Sequence, residues 1–170
     1  MGGALLEVGC SNGYRLNWIQ KKLRLDCYGI EPSNLAVKDG KSQGLKLTQG
    51  TAEILPYSDK KFDIVIMGFC LYLCDRNDLF KIASEVDRVL KNKSYLIILD
   101  FFSKNPRFNN YIHMDGIRSH KMDYTSIFSW NPSYTVLSKE VRDYHSLGFP
   151  YTDIEDDFVS LALISKNFVD

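Results

Sequence analysis

The chain of 170 residues has no surplus of either charge, since 21 lysines and arginines meet 21 aspartates and glutamates. Balanced charge sets up no broad field to draw a protein onto nucleic acid or an anionic membrane. Proline and cysteine are scarce, at five and four residues, and no repeat or low-complexity tract stands out. That argues against linker-rich, fibrous and disulfide-stapled architectures. No apolar run approaches the roughly 20 residues that span a bilayer, and no cationic-then-apolar leader opens the chain. The expectation is a cytoplasmic protein that does not enter a membrane. Cys70 and Cys74 could be two metal ligands, but no second Cys or His pair stands near them at zinc-like spacing. We expect no metal, and read Cys10, Cys27, Cys70 and Cys74 as small side chains in a reducing compartment. The rest is ordinary globular material, 45% hydrophobic and 25% charged, enough for one domain over residues 1–170.

Apolar runs and helical periods alternate along the first hundred residues. Ala4 to Val8 reads as a strand, and a helix follows from about Asn12 to Leu25. Asp26 to Ile30 is a second strand, ended by Pro32, and Ser33 or Asn34 can cap a helix that runs to about Gly44. Leu45 to Leu47 is a brief third strand, and Phe62 to Phe69 is the clearest strand of all. Leu79, Phe80, Ile82, Ala83, Val86, Val89 and Leu90 then recur at helical spacing. Asn92-Lys93-Ser94 turns the chain into a fifth strand, Tyr95 to Phe101. Such alternation implies a parallel sheet with helices on both faces. The pattern breaks from Ser103 to Pro132, a polar, aromatic-rich stretch with one short helix expected around Tyr124 to Trp130. A structureless loop of that length is usually functional. Tyr134 to Tyr144 and Phe158 to Ile164 read as two further strands, joined through Gly148-Phe149-Pro150 as an antiparallel pair.

The stretch Leu5-Leu6-Glu7-Val8-Gly9-Cys10-Ser11-Asn12-Gly13 joins strand to glycine turn to helix. In an open α/β sheet, ligands bind beyond the carboxyl ends of the strands. A dinucleotide turn would need Gly-x-Gly-x-x-Gly, but Ser11 and Tyr14 stand where two of its glycines belong. Gly9-Cys10-Ser11-Asn12-Gly13 also matches the Gly-x-Ser-x-Gly nucleophile elbow, yet the strands that precede an elbow are missing. The third reading draws on several features in register. The first turn resembles motif I of class I S-adenosylmethionine-dependent methyltransferases. Glu31 stands 22 residues after Gly9 (31 − 9), where that family keeps its ribose-binding acid. Gly50-Thr51-Ala52-Glu53-Ile54-Leu55-Pro56-Tyr57, then Lys61-Phe62-Asp63-Ile64-Val65, and later Arg88-Val89-Leu90-Lys91 are similar to further family passages. The resemblance covers Leu5 to Phe101.

It implies a Rossmann-like, doubly wound α/β fold: a mostly parallel seven-stranded sheet, an antiparallel last strand, and helices on both faces. Residues 1–101 would form the cofactor-binding half, 102–133 a substrate or lid loop, and 134–170 the antiparallel pair. S-adenosylmethionine is the implied cofactor and S-adenosylhomocysteine the product. The implied cofactor residues are Glu7, Gly9, Cys10, Ser11, Gly13, Glu31, Pro32, Thr51, Ala52, Glu53, Gly68 and Phe69. Gly9 and Gly13 would let the N–H groups near Ser11 and Asn12 reach the methionine moiety. Glu31 would accept bonds from the ribose diol, with Pro32 and Ile54 or Leu55 against adenine. Gly68 and Phe69 would turn carbonyls toward the ammonium and sulfonium.

Ser11, Thr51 and Asn92-Lys93-Ser94 depart mildly from the family pattern. The larger departure is at the start, where only Met1-Gly2-Gly3-Ala4 precede motif I in place of the usual covering helix. The expectation is an absent lid, a shortened chain, or a second copy or partner that covers the site. His113 and His120 are candidate bases in the loop, with Tyr111, Tyr124 and Asp115 comparable; the other aromatics read mainly as core. The function expected is methyl transfer to an O, N or C atom of a small-molecule acceptor, with no nucleic-acid partner. The alternatives are a non-catalytic cofactor-binding subunit and an NAD(P)-binding oxidoreductase.

Overall fold

The computed structural model describes residues 2–145 and 158–167. In chain order come β1 (Ala4–Val8), α1 (Tyr14–Leu23), β2 (Asp26–Glu31), α2 (Asn34–Ser42), β3 (Lys46–Gln49) and β4 (Phe62–Gly68). Two 3-10 turns (Leu71–Leu73 and Arg76–Asp78) lead to α3 (Leu79–Val89) and β5 (Leu90–Phe101). Then follow β6 (Arg107–Asn110), β7 (Arg118–Lys121), α4 (Ser126–Ser129), β8 (Tyr134–Asp143) and β9 (Phe158–Lys166). Seven strands form one sheet in the order β3-β2-β1-β4-β5-β9-β8. The first five are parallel, and β9 runs antiparallel between β5 and β8. The last strand is therefore the antiparallel one, but it lies one place in from the edge.

Period-two alternation along β1 sorts its side chains between two layers. Leu5 joins the layer that includes Leu16 and Ile19 of α1 and Val37 of α2. Leu6 and Val8 join the opposite layer with Ile82, Val86 and Val89 of α3. Each fully buried Leu, Ile or Val contributes about 1.5–3 kcal/mol, and a one-residue slip of β1 would swap its faces and carry Glu7 into the apolar α3 layer. Ser33 caps α2 by accepting the Ala36 N–H at 3.3 Å, in keeping with its expected role.

Two stretches differ from their sequence reading. The 103–132 segment is not structureless: β6 and β7 pair as an antiparallel ribbon, Arg107 opposite Lys121 and Asn110 opposite Arg118. The ribbon has only four residues a side and shows little burial, so it leaves no alternating apolar trace to read. Asn92-Lys93-Ser94 lies inside β5 rather than before it. Leu90 pairs with Phe62 while Tyr95 pairs with Ile64, and Lys93 turns left-handed between them (φ 58°). The strand thus absorbs the turn as a bulge. The expected Gly148-Phe149-Pro150 turn lies outside the described residues.

The Arg88 motif has a structural reason. Its guanidinium donates to the carbonyls of Tyr57 (2.7 Å) and Leu55 (2.8 Å), and to Asp59 and Glu85 (both 2.8 Å). Glu85 in turn accepts the Leu55 N–H at 2.7 Å. α3 thereby fixes the segment between β3 and β4. Arg88→Met strands these acceptors, and we expect a loss of about 2 kcal/mol, measured as a lower midpoint in urea unfolding.

Candidate active site

The chain winds from β1 outward through β2 to β3, then returns to add β4 and β5 on the other side of β1. That reversal opens a crevice at the carboxyl ends of the central strands, the place where such sheets bind ligands. A cleft of about 500 Å³ lies there. Val8 and Gly9 from β1, Ile30 and Glu31 from β2, and Gly50 to Glu53 after β3 line one side. Phe69, Cys70, Tyr72 and Asp75 after β4, with Tyr111 from the β6–β7 connection, line the other.

The first turn is built for close approach. Gly9 has φ 73° and donates to the Ile30 carbonyl at 2.9 Å. A Cβ on Gly9 would lie 2.5 Å from Cys70 Cβ, so only glycine lets β1 and the post-β4 segment meet. Ser11 is also left-handed (φ 50°), and its N–H donates to Glu31 Oε2 at 3.0 Å. Glu31 Oε1 accepts the Ser33 N–H, also at 3.0 Å. One carboxylate thus ties the first turn to the second. The Ser11 N–H, read from sequence as pointing to a ligand, points to Glu31 instead.

Eight of the twelve residues expected to touch a cofactor line the cleft: Gly9, Ser11, Glu31, Pro32, Thr51, Ala52, Glu53 and Phe69. The other four do not line it. Cys10 is buried among Leu5, Leu16 and Leu47, its thiol pushed up to about 12 by burial. Gly13 is the left-handed residue ahead of α1. Glu7 turns to the α1 side, where Arg15 Nη1 stands 3.2 Å from Oε1. A side chain at Gly68 would collide with that same guanidinium. Gly68 of β4 thus leaves room for the guanidinium of a brace that joins α1 to β1. The adenine surface read at Ile54 or Leu55 is absent too: Ile54 is 66% exposed, Leu55 is buried, and neither lines the cleft. Val8, Ile30 and Ala52 supply the apolar floor.

Behind Phe69 stands a residue with no sequence signal beyond ending an apolar strand. Asp100 is fully buried, and its Oδ2 accepts the N–H groups of Cys70 (3.1 Å) and Leu71 (2.8 Å). Oδ1 accepts the Phe101 N–H at 2.8 Å. These bonds hold the turn after β4 with Phe69 left-handed (φ 55°). Burial outweighs the bonds and raises the Asp100 carboxyl to about 7. Cys70 and Cys74 face the cleft as thiols, the first pushed well up and the second to about 12 by burial.

His113 and His120 do not line the cleft. The His113 ring packs on Tyr111 (5.2 Å) and the His120 ring on Phe108 (5.9 Å). Burial, then Arg76 and Arg118, hold His120 below its ordinary value. Tyr124 is fully buried and donates to the His120 carbonyl at 2.9 Å, so it is part of the scaffold. Tyr72, read from sequence as core, is instead in the cleft wall; Asp75 had carried no signal.

This geometry fits S-adenosylmethionine. The only charged side chains lining the cleft among the described residues are Glu31, Glu53 and Asp75, suited to a ligand that carries a sulfonium and an ammonium. Glu31 keeps acceptor capacity for a diol after its two backbone bonds, and Gly9 leaves the backbone open beside it. Switch-point cleft, glycine turn, second-strand acid and antiparallel penultimate position together define the class I S-adenosylmethionine-dependent methyltransferase fold.

The chain belongs to the methyltransferase domain family, which matches residues 6–98. The fatty-acid O-methyltransferase of Mycolicibacterium smegmatis is 33% identical over 104 residues, 58% of this chain and 37% of that protein. The uncharacterised methyltransferase YcgJ of Bacillus subtilis is 24% identical over 158 residues, 86% of this chain and 60% of its own. The chain thus spans 37 to 60% of these curated relatives. A SAM-dependent methyltransferase of Methanosarcina mazei shares the fold, with a TM-score of 0.78 at 15% identity over 99% of this chain and 94% of its own.

The Glu7 brace carries a pH signature. Burial outweighs Arg15 and lifts the Glu7 carboxyl from its ordinary 4.5 to about 7. A group raised by folding stabilises fully below its unfolded value, and that contribution is lost as pH rises through the folded one. Compared with Glu7→Gln, the wild type should lose up to about 3 kcal/mol between those two pH values. Urea unfolding at stepped pH measures the difference; a gap that stays constant with pH would refute the assignment.

Proposed function

We propose that this protein transfers a methyl group from S-adenosylmethionine to an O, N or C atom of a small-molecule acceptor. The observation that carries the reading is Glu31, placed in the cleft wall at the end of β2 and bonded to both flanking turns. When bound, the cofactor supplies a methyl group already activated by its sulfonium, so alignment and exclusion of water provide much of the rate enhancement.

The side chains divide that work. Glu31 accepts hydrogen bonds from the ribose diol, its position fixed by Ser11 and Ser33. Pro32, Ile30 and Ala52 give adenine an apolar bed. The Phe69 backbone, held by its N–H bond to the Leu99 carbonyl (2.7 Å) and by the Asp100 bonds to the next two residues, faces the methionine end. Phe69, Tyr72 and Tyr111 form the wall on the acceptor side, where Tyr72 and Tyr111 pack edge to face with centroids 6.1 Å apart. No histidine of the β6–β7 ribbon lines the wall, so a proton released by the acceptor passes to water.

A cleft of about 500 Å³ lies within the usual range for small-molecule sites, which supports that acceptor class. Glu31→Gln keeps the size of the side chain but removes its charge. We expect S-adenosylhomocysteine affinity to fall about thirtyfold or more, with a modest drop in unfolding temperature as well, because the new NH2 must face the Ser11 or the Ser33 N–H. Unchanged affinity by calorimetry would overturn the assignment.

A further inference from the structure

The acceptor end of the cleft has a chemistry of its own. Phe69, Tyr72 and Tyr111 present three rings to it. Phe101 locks two of them from behind, at 5.4 Å from Phe69 and 5.0 Å from Tyr72. Asp75 also lines the cleft, three residues after Tyr72 and just ahead of the second 3-10 turn; its Oδ1 accepts the Asn77 N–H at 2.8 Å. A carboxylate has further acceptor sites for a ligand. No lysine or arginine lines the cleft among the described residues. Lys121 stacks on Phe101 (5.2 Å), and Arg76 is bonded to the Leu71 and Cys74 carbonyls and the Tyr124 hydroxyl. Both stand outside the lining.

Resting on the methyltransferase reading, we propose that the acceptor is an amine, received as its ammonium ion by the Phe69, Tyr72 and Tyr111 rings together with Asp75. Aromatic faces attract cations through the ring quadrupole, and a carboxylate beside them adds charge complementarity. An anionic acceptor would lose its hydration here without gaining a cation partner. The site therefore selects against a carboxylate acceptor such as a fatty acid. The bound ammonium releases one proton to water at the cleft mouth. The freed nitrogen lone pair then forms the N–CH3 bond as the S–CH3 bond breaks, and that bond's electron pair stays on sulfur. A methylated ammonium ion and the neutral thioether result, so charge is conserved.

Three probes with similar aromatic bodies isolate the head group: phenethylamine, phenethyl alcohol and phenylacetate. Each is titrated by calorimetry into protein saturated with S-adenosylhomocysteine. Phenethylamine should bind about tenfold tighter than the alcohol, with phenylacetate weakest. Asp75→Asn keeps a residue able to cap the turn and should shrink the amine's advantage over the alcohol to the share the rings supply. Phenylacetate binding as well as the amine, an amine preference undiminished by Asp75→Asn, or no probe binding to protein that holds S-adenosylhomocysteine would each overturn the proposal. Failure of S-adenosylhomocysteine itself to bind would instead remove the cofactor reading on which this one rests.

Discussion

The Glu31 carboxylate holds two turns at once. Its bonds to the Ser11 and Ser33 N–H groups fasten the loop after β1 to the loop after β2, and both loops wall the same cleft. With those N–H groups satisfied by a side chain, the left-handed Ser11 and the extended Ser33 keep fixed positions. A carboxylate placed by the fold to close its own site can also receive a ligand's hydroxyls, because two bonds do not exhaust its acceptor capacity. On the proposed function, structure and recognition share one group.

The same economy recurs on the other side of the switch point. Asp100, from the end of β5, binds the N–H groups at the turn after β4, and Glu7 with Arg15 braces β1 beneath it. Both acids are buried enough to be raised to about 7. Neither lines the cleft, yet between them they fix the strand ends from which Gly9 and Phe69 enter it. The cost of burying such groups is local; the gain is a rigid frame around an open crevice.

Much of the cofactor half was legible because its signals are local. Gly9 needs a left-handed backbone, Ser33 caps a helix, Glu31 ends a strand, and the α3 residues recur at a helical period. Each of these reads directly from neighbouring residues. The β6–β7 ribbon was not legible, because four-residue polar strands leave no periodic trace and are recognised only by their pairing. The roles of Cys10, Gly13 and Gly68 were equally hidden, while Glu7 read as either a brace or a ligand contact and is the brace. A motif says that a residue stands at a turn, but not whether its side chain faces the ligand or the layer behind it.

What the sequence determined by itself was the order of strands and helices, the glycine turn and the acid that follows it, since propensity, periodicity and backbone conformation act over a few residues. What only the tertiary structure decided was company across the sheet. It brought Tyr72 out of the presumed core to meet Tyr111 in the cleft wall, and left His113 and His120 out of that wall. Those meetings join segments dozens of residues apart, and they depend on how the parallel sheet and its ribbon pack. No local pattern in the chain encodes that packing.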